Sequence, residues 1–122
     1  MLLAKSIDGI SKHREALLEL GSASSPSQIS EHTHLLTLYL DAAGESLADL
    51  EAELEVKETE SFHAHLKKGM SVNASKETVR REFTEERAVI IKTTRIISSG
   101  FRLVSECQSR VKHLIAEANN QI

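Results

Sequence analysis

Aromatic residues, proline, glycine and cysteine are all scarce in this chain: no tryptophan, one tyrosine (Tyr39), three phenylalanines, one proline, five glycines and one cysteine in 122 residues. Each scarcity excludes something. Sheet cores draw on aromatic and β-branched side chains, and 3 % aromatic content leaves little to build one. One proline and five glycines supply few turns, so a fold of many short strands is excluded and long helices are expected. The lone Cys107 permits no intramolecular disulfide and fits a reducing compartment; it reads as a small apolar residue on a helix flank. No apolar run approaches the roughly 18 residues of a membrane span, and Met1-Leu2-Leu3-Ala4-Lys5 is too short for a signal peptide. A soluble, cytoplasmic, single-domain protein without membrane association is expected.

Charge is present but unevenly placed. Residues 1–66 carry 4 basic and 12 acidic side chains, a balance of −8, whereas residues 67–122 carry 11 and 6, a balance of +5. A basic half can signal nucleic acid, or two halves that lie against each other. Hydrophobic spacing favours the second. Leu3, Ile7, Ile10 and Leu17 predict a helix over about 3–20, its start weakened by Asp8-Gly9, followed by a loop at 21–25. Ser25-Pro26-Ser27-Gln28 combines a cap, a first-turn proline and a capping-box glutamine, opening a helix over about 26–68. Its seam runs Ile29, Thr33, Leu36, Leu40, Ala43, Leu47, Leu50 and Leu54, in alternating steps of 4 and 3. Lys67-Lys68-Gly69-Met70-Ser71 predicts a turn at 69–71. A last helix over about 72–118 follows, with a seam through Val72, Lys76, Val79, Phe83, Glu86, Ile90, Thr94, Ile97, Phe101, Val104, Gln108, Val111, Ile115 and Ala118. Its one irregular step, at Glu86–Ile97, is a stutter.

Two long helices joined by a tight turn run antiparallel. The expected fold is therefore all-α: a long, coiled-coil-like helical hairpin with the short N-terminal helix packed at its open end. Folding the chain back at Met70 pairs Leu50 with Ile90, Ala43 with Ile97, Leu36 with Val104 and Ile29 with Val111. The same register sets Glu45 near Arg95, Glu53 near Arg87 and Glu60 near Arg80. A second apolar stripe on the last helix, Val89, Ile96 and Leu103, exceeds what one neighbouring helix can cover, so self-association into a homodimer or higher homo-oligomer is expected.

No residue pattern points to catalysis, and no cofactor is expected. His32-x-His34 and His63-x-His65 put their rings on opposite sides of a helix. Glu31-x-x-His34 and Glu60-x-x-His63 have the ligand spacing of ferritin-like di-metal sites, but both lie on one helix and outside the seam, which makes a metal-binding protein a remote alternative. Cys107 and His113 stand nearly two turns apart with no pocket implied, and no phosphate loop or nucleophile elbow is present. The best charged patch is Lys67, Lys68, Lys76, Arg80 and Arg81 around the turn, which are candidates for contact with nucleic acid or a partner protein.

The tract Leu66-Lys67-Lys68-Gly69-Met70-Ser71-Val72 lies between a Glu-rich helix and a long helix carrying Ser105-Glu106-Cys107-Gln108-Ser109-Arg110. It resembles small helical proteins encoded by bacteriophages and prophages, often near recombination and single-strand-binding genes, in which a helix, a short Lys-x-Gly-x-Ser turn and a second helix recur. The resemblance covers about residues 45–118; Asn73-Ala74-Ser75-Lys76 departs from the Ala/Glu-rich stretch that usually follows the turn. It implies a phage accessory protein and carries over no functional residue. A non-enzymatic oligomer acting by protein–protein interaction is the expectation, with a nucleic-acid-associated accessory of phage recombination as the alternative.

Overall fold

The computed structural model describes residues 2–20 and 24–120, and among them every regular element is a helix. They are α1 (Leu3–Glu19), α2 (Pro26–Lys67), α3 (Val72–Glu82) and α4 (Thr84–Asn120). The all-α class holds. Positions 21–23 of the expected first loop lie outside the described residues.

The start and stop signals work as the chemistry requires. At the entry to α2 the Ser25 hydroxyl accepts from the Gln28 N–H at 3.2 Å, and the Gln28 side chain accepts from the Ser25 N–H at 3.1 Å. This reciprocal box satisfies two donors that helix geometry leaves orphaned. At the far end of α2, Gly69 takes φ +92°, a conformation that a Cβ would strain, and lets the chain reverse. The Ser71 hydroxyl then caps α3 by accepting from the Ala74 N–H at 3.1 Å.

Packing divides the chain into two units: residues 1–46 with 95–122, and residues 47–94. The first holds the core. Ile10, Leu17, Ile29, Leu36, Leu40, Ala43, Val104 and Cys107 are buried together, with Ile97 and Val111 packed against them. Here α2 and α4 run antiparallel, since a Cβ on Gly100 would meet Leu40 and the Cys107 thiol lies in hydrogen-bond reach of Thr33. Both pairs keep the register expected from folding at Met70. The helix α1 runs antiparallel to α2 as well, with Gly9 against the Tyr39 ring and His13 against His32. Gly9 is therefore no weak start: the helix begins at Leu3, and the missing side chain is what admits the tyrosine.

The second unit is thinner. Among the described residues its only buried apolar side chains are Leu54 and Val79, joined by the buried hydroxyls of Ser75 and Thr93. Polar pairs link its helices instead: the Arg87 Nε donates to Glu58 at 2.8 Å, and the Ser61 hydroxyl donates to Glu82 at 2.6 Å. Arg87 thus pairs with Glu58 rather than the expected Glu53, and among the described residues neither Glu45–Arg95 nor Glu60–Arg80 forms an ion pair. Exposed ion pairs are worth too little to dictate register, so apolar contacts set it and the charges take the nearest partner.

Two features of the expected last helix need correction. It is divided at Phe83 (φ −111°, ψ 24°) into α3 and α4. The hydrogen bonds Phe83 N–H to Val79 and Arg87 N–H to Phe83 persist at 3.3 and 3.1 Å, so the break is a kink. Beside it the Thr84 hydroxyl donates back to the Arg80 and Arg81 carbonyls at 3.0 and 3.1 Å; Thr33, Thr37, Thr78 and Thr94 make the same bond four residues back inside continuous helices, so that contact alone does not divide the helix. The seam also differs. Ile90, Ile97, Val104 and Val111 face inward as expected, but their alternates are Thr93, Gly100, Cys107 and Leu114, not Thr94, Phe101, Gln108 and Ile115. From Ile90 onward the steps of 3 and 4 are then regular and the expected stutter disappears.

Candidate interaction surface

The three residues expected to drive self-association part company. Ile96 and Leu103 pack against the core of the first unit, whereas Val89, in the second, is 50 % exposed. Around Val89 the structure forms a groove between α2 and the start of α4. Leu54 and Ile90 make its floor, Leu50 and Val89 its walls, and Glu53, Lys57 and Glu86 its rim. On a helix, residues 50, 54 and 57 share a face, as do 86, 89, 90 and 93, which is how two seams produce one trough. Thr93, at the end of that face, is buried and adds no apolar surface. The opposite face carries a second groove with Leu54, Ile90 and Ile91 between Glu51, Glu55 and Glu58. Ile91 is 52 % exposed there.

The basic residues at the turn stand among acids. Lys67, Lys68, Lys76, Arg80 and Arg81 are all exposed. Lys76 and Arg80 line a cleft with Glu58, Phe62, Glu77 and Arg87, while Lys68 acts on Glu82. Acids are interleaved with these cations, and Arg87 is already held by Glu58, whose hydrogen bond raises the guanidinium pKa further.

Glu82 is the hub of the second unit. Hydrogen bonds from Ser61 and then His65 hold its carboxyl below the ordinary range, so the contact persists until acid protonates it. Serine, histidine and glutamate meet here, but in an order unlike that of a hydrolase. The hydroxyl donates to the carboxylate and not to the imidazole, so no base activates Ser61.

In the first unit His13 and His32 place their Nδ1 atoms 3.2 Å apart, and His13 stacks on Tyr39 with ring centroids at 5.7 Å. One ring must donate and the other accept, which requires at least one neutral imidazole. Burial, then the nearby His32 and Lys12, lower the His13 pKa from 6.5. The unfolded chain then takes up a proton at higher pH than the native one does. Stability is complete above about 6.5 and falls with pH from there down to the native His13 pKa. Urea melts between pH 7.5 and 5 should show that fall, and His13→Phe, which keeps the stack but removes the titration, should flatten it. An equal slope in both proteins would remove His13 from the account.

The histidines of the Glu-x-x-His repeats, His34 and His63, are exposed with their glutamates, and among the described residues no group of three or more His, Cys, Asp or Glu is placed to hold a metal. Cys107 is buried and its thiol pKa is raised by that burial. Among the described residues no helix is long and apolar enough to cross a membrane. No protein-family model matches the sequence, and neither the curated proteins nor the solved structures contain a match to it.

Proposed function

We infer that this is a non-enzymatic helical protein that acts by protein–protein interaction, with the second unit as its interacting part. The observation that carries this is the groove at Val89: an apolar floor between two helices, with no third helix of its own unit laid over it. Fully burying a Leu, Ile or Val side chain stabilises by about 1.5–3 kcal/mol, so a trough of four such residues is a strong incentive for association. The first unit, with its closed core, serves as a stable base. A phage accessory role rests on the resemblance at the turn. Nucleic-acid association through Lys67, Lys68, Lys76, Arg80 and Arg81 is the weaker alternative, since acids divide these cations and exposed stacking aromatics are missing around them.

A photo-crosslinking amino acid at position 89, compared with one at Arg102 on the exposed face of the first unit, tests the proposal in the cell that makes the protein. Protein adducts are expected from position 89 and not from 102. Adducts from neither position, with the protein folded and abundant, would overturn it.

A further inference from the structure

We propose that the occupant of the Val89 groove is the same groove of a second copy, related by a two-fold axis along it. The inference rests on the interaction reading above and names its partner. The placement of charge on the groove's rim carries it.

Glu53, Lys57 and Glu86 on the rim form no ion pair within the chain among the described residues. Glu58 and Arg87 pair across the unit, so Lys57 and Glu86, one residue before each on antiparallel helices, lie within about 3 Å of one level on opposite walls. An axis along the groove sets α2 of each copy over α4 of the other at that level. Each Lys57 then faces the partner's Glu86, and Leu54, a turn away, covers the partner's Val89 and Ile90. The Lys57–Glu86 and apolar contacts form in one operation, while Glu53 stays exposed on the rim, giving a local four-helix arrangement. The opposite groove does not satisfy this condition. It presents Glu51, Glu55 and Glu58, and its one cation, Arg87, is spent on Glu58, so two such faces repel.

Sedimentation velocity on the full chain reads the outcome, with far-UV circular dichroism to confirm folding. The wild type is expected near twice 13.5 kDa at micromolar concentrations. Val89→Glu and Lys57→Glu should each weaken the dimer by at least about tenfold, the first by setting a charge against the partner's Leu54 and the second by facing the partner's Glu86 with a like charge. The double variant Lys57→Glu/Glu86→Lys reverses the pair and should recover most of that loss. Val56→Glu, at a position 56 % exposed but outside the groove, should leave the dimer unchanged. A wild-type monomer at about 100 µM, a dimer insensitive to Val89→Glu, or a double variant as weak as Lys57→Glu would each overturn the proposal. A monomer that still crosslinks from position 89 to a chain of different mass would overturn the second copy and leave the interaction reading standing.

Discussion

Leu36→Ala is expected to destabilise the chain by about 2–5 kcal/mol in urea unfolding, while Leu38→Ala, two residues along the same helix, should stay within about 0.5 kcal/mol. The two leucines differ only in which way they face. Leu36 is 0 % exposed, between α1 and α4 in the core of the first unit, and Leu38 is 52 % exposed. Deleting the Leu36 side chain removes its transfer energy and leaves a cavity. The surrounding Leu40, Ala43 and Val104 are held by three helices and can fill it only in part. Equal effects at the two positions would mean that α2 is rotated from the orientation described, and the core with it.

Glycine gives the second large effect, with opposite signs at two sites. Gly9→Ala should destabilise, because its Cβ would stand 2.4 Å from the Tyr39 ring, too close for any real contact. Tyr39 stacks on His13, so the ring is not free to withdraw. Overpacking of this kind costs about 1–3 kcal/mol, and the gain of alanine over glycine in a helix returns up to about 1 kcal/mol. With the full return, a net loss of up to about 2 kcal/mol is expected. Gly44→Ala should instead stabilise by about 0.5–1 kcal/mol, since the position is helical and nothing lies within 4 Å of the added carbon. Thermal or urea melts of the two variants, side by side, check both signs; a stabilised Gly9→Ala would show that α1 does not approach α2 so closely.

Much of this fold was legible in the sequence, for identifiable reasons. The α2 seam was read correctly at Ile29, Thr33, Leu36, Leu40, Ala43 and Leu54, all of them buried, because apolar period and burial coincide on a helix that offers one face to its neighbours. The entry to α2 at Ser25–Gln28 and the turn at Gly69–Ser71 were legible from their capping chemistry. The α4 seam was half legible. Counting hydrophobic residues favours Phe101 and Ile115 over Gly100 and Leu114, yet Phe101 and Ile115 are 40 % and 48 % exposed. With α1 also present, the inward face is centred where two helices converge, and a small residue there admits Leu40. Spacing alone weighs apolar bulk and does not register close approach.

The candidate surface was legible only in part. Val89 was singled out, but Ile96 and Leu103 were placed on the same uncovered stripe although α4 turns them into the first unit's core. The His13–His32 contact is invisible to spacing within one helix, because its rings come from two. A signal was available: Ile10, His13 and Leu17 step by 3 and 4, which puts His13 on the buried face of α1. The break at Phe83 lies in the backbone of one residue, which hydrophobic patterning does not encode.

Cys107 is the chain's one thiol, and it lies inside the first unit beside Thr33. Alkylating reagents must wait for that unit to breathe, so the speed at which they consume the sulfur is a built-in clock for its opening. Because the sulfur packs within the first unit and not with residues 47–94, the clock should run on whether or not the other unit has found company.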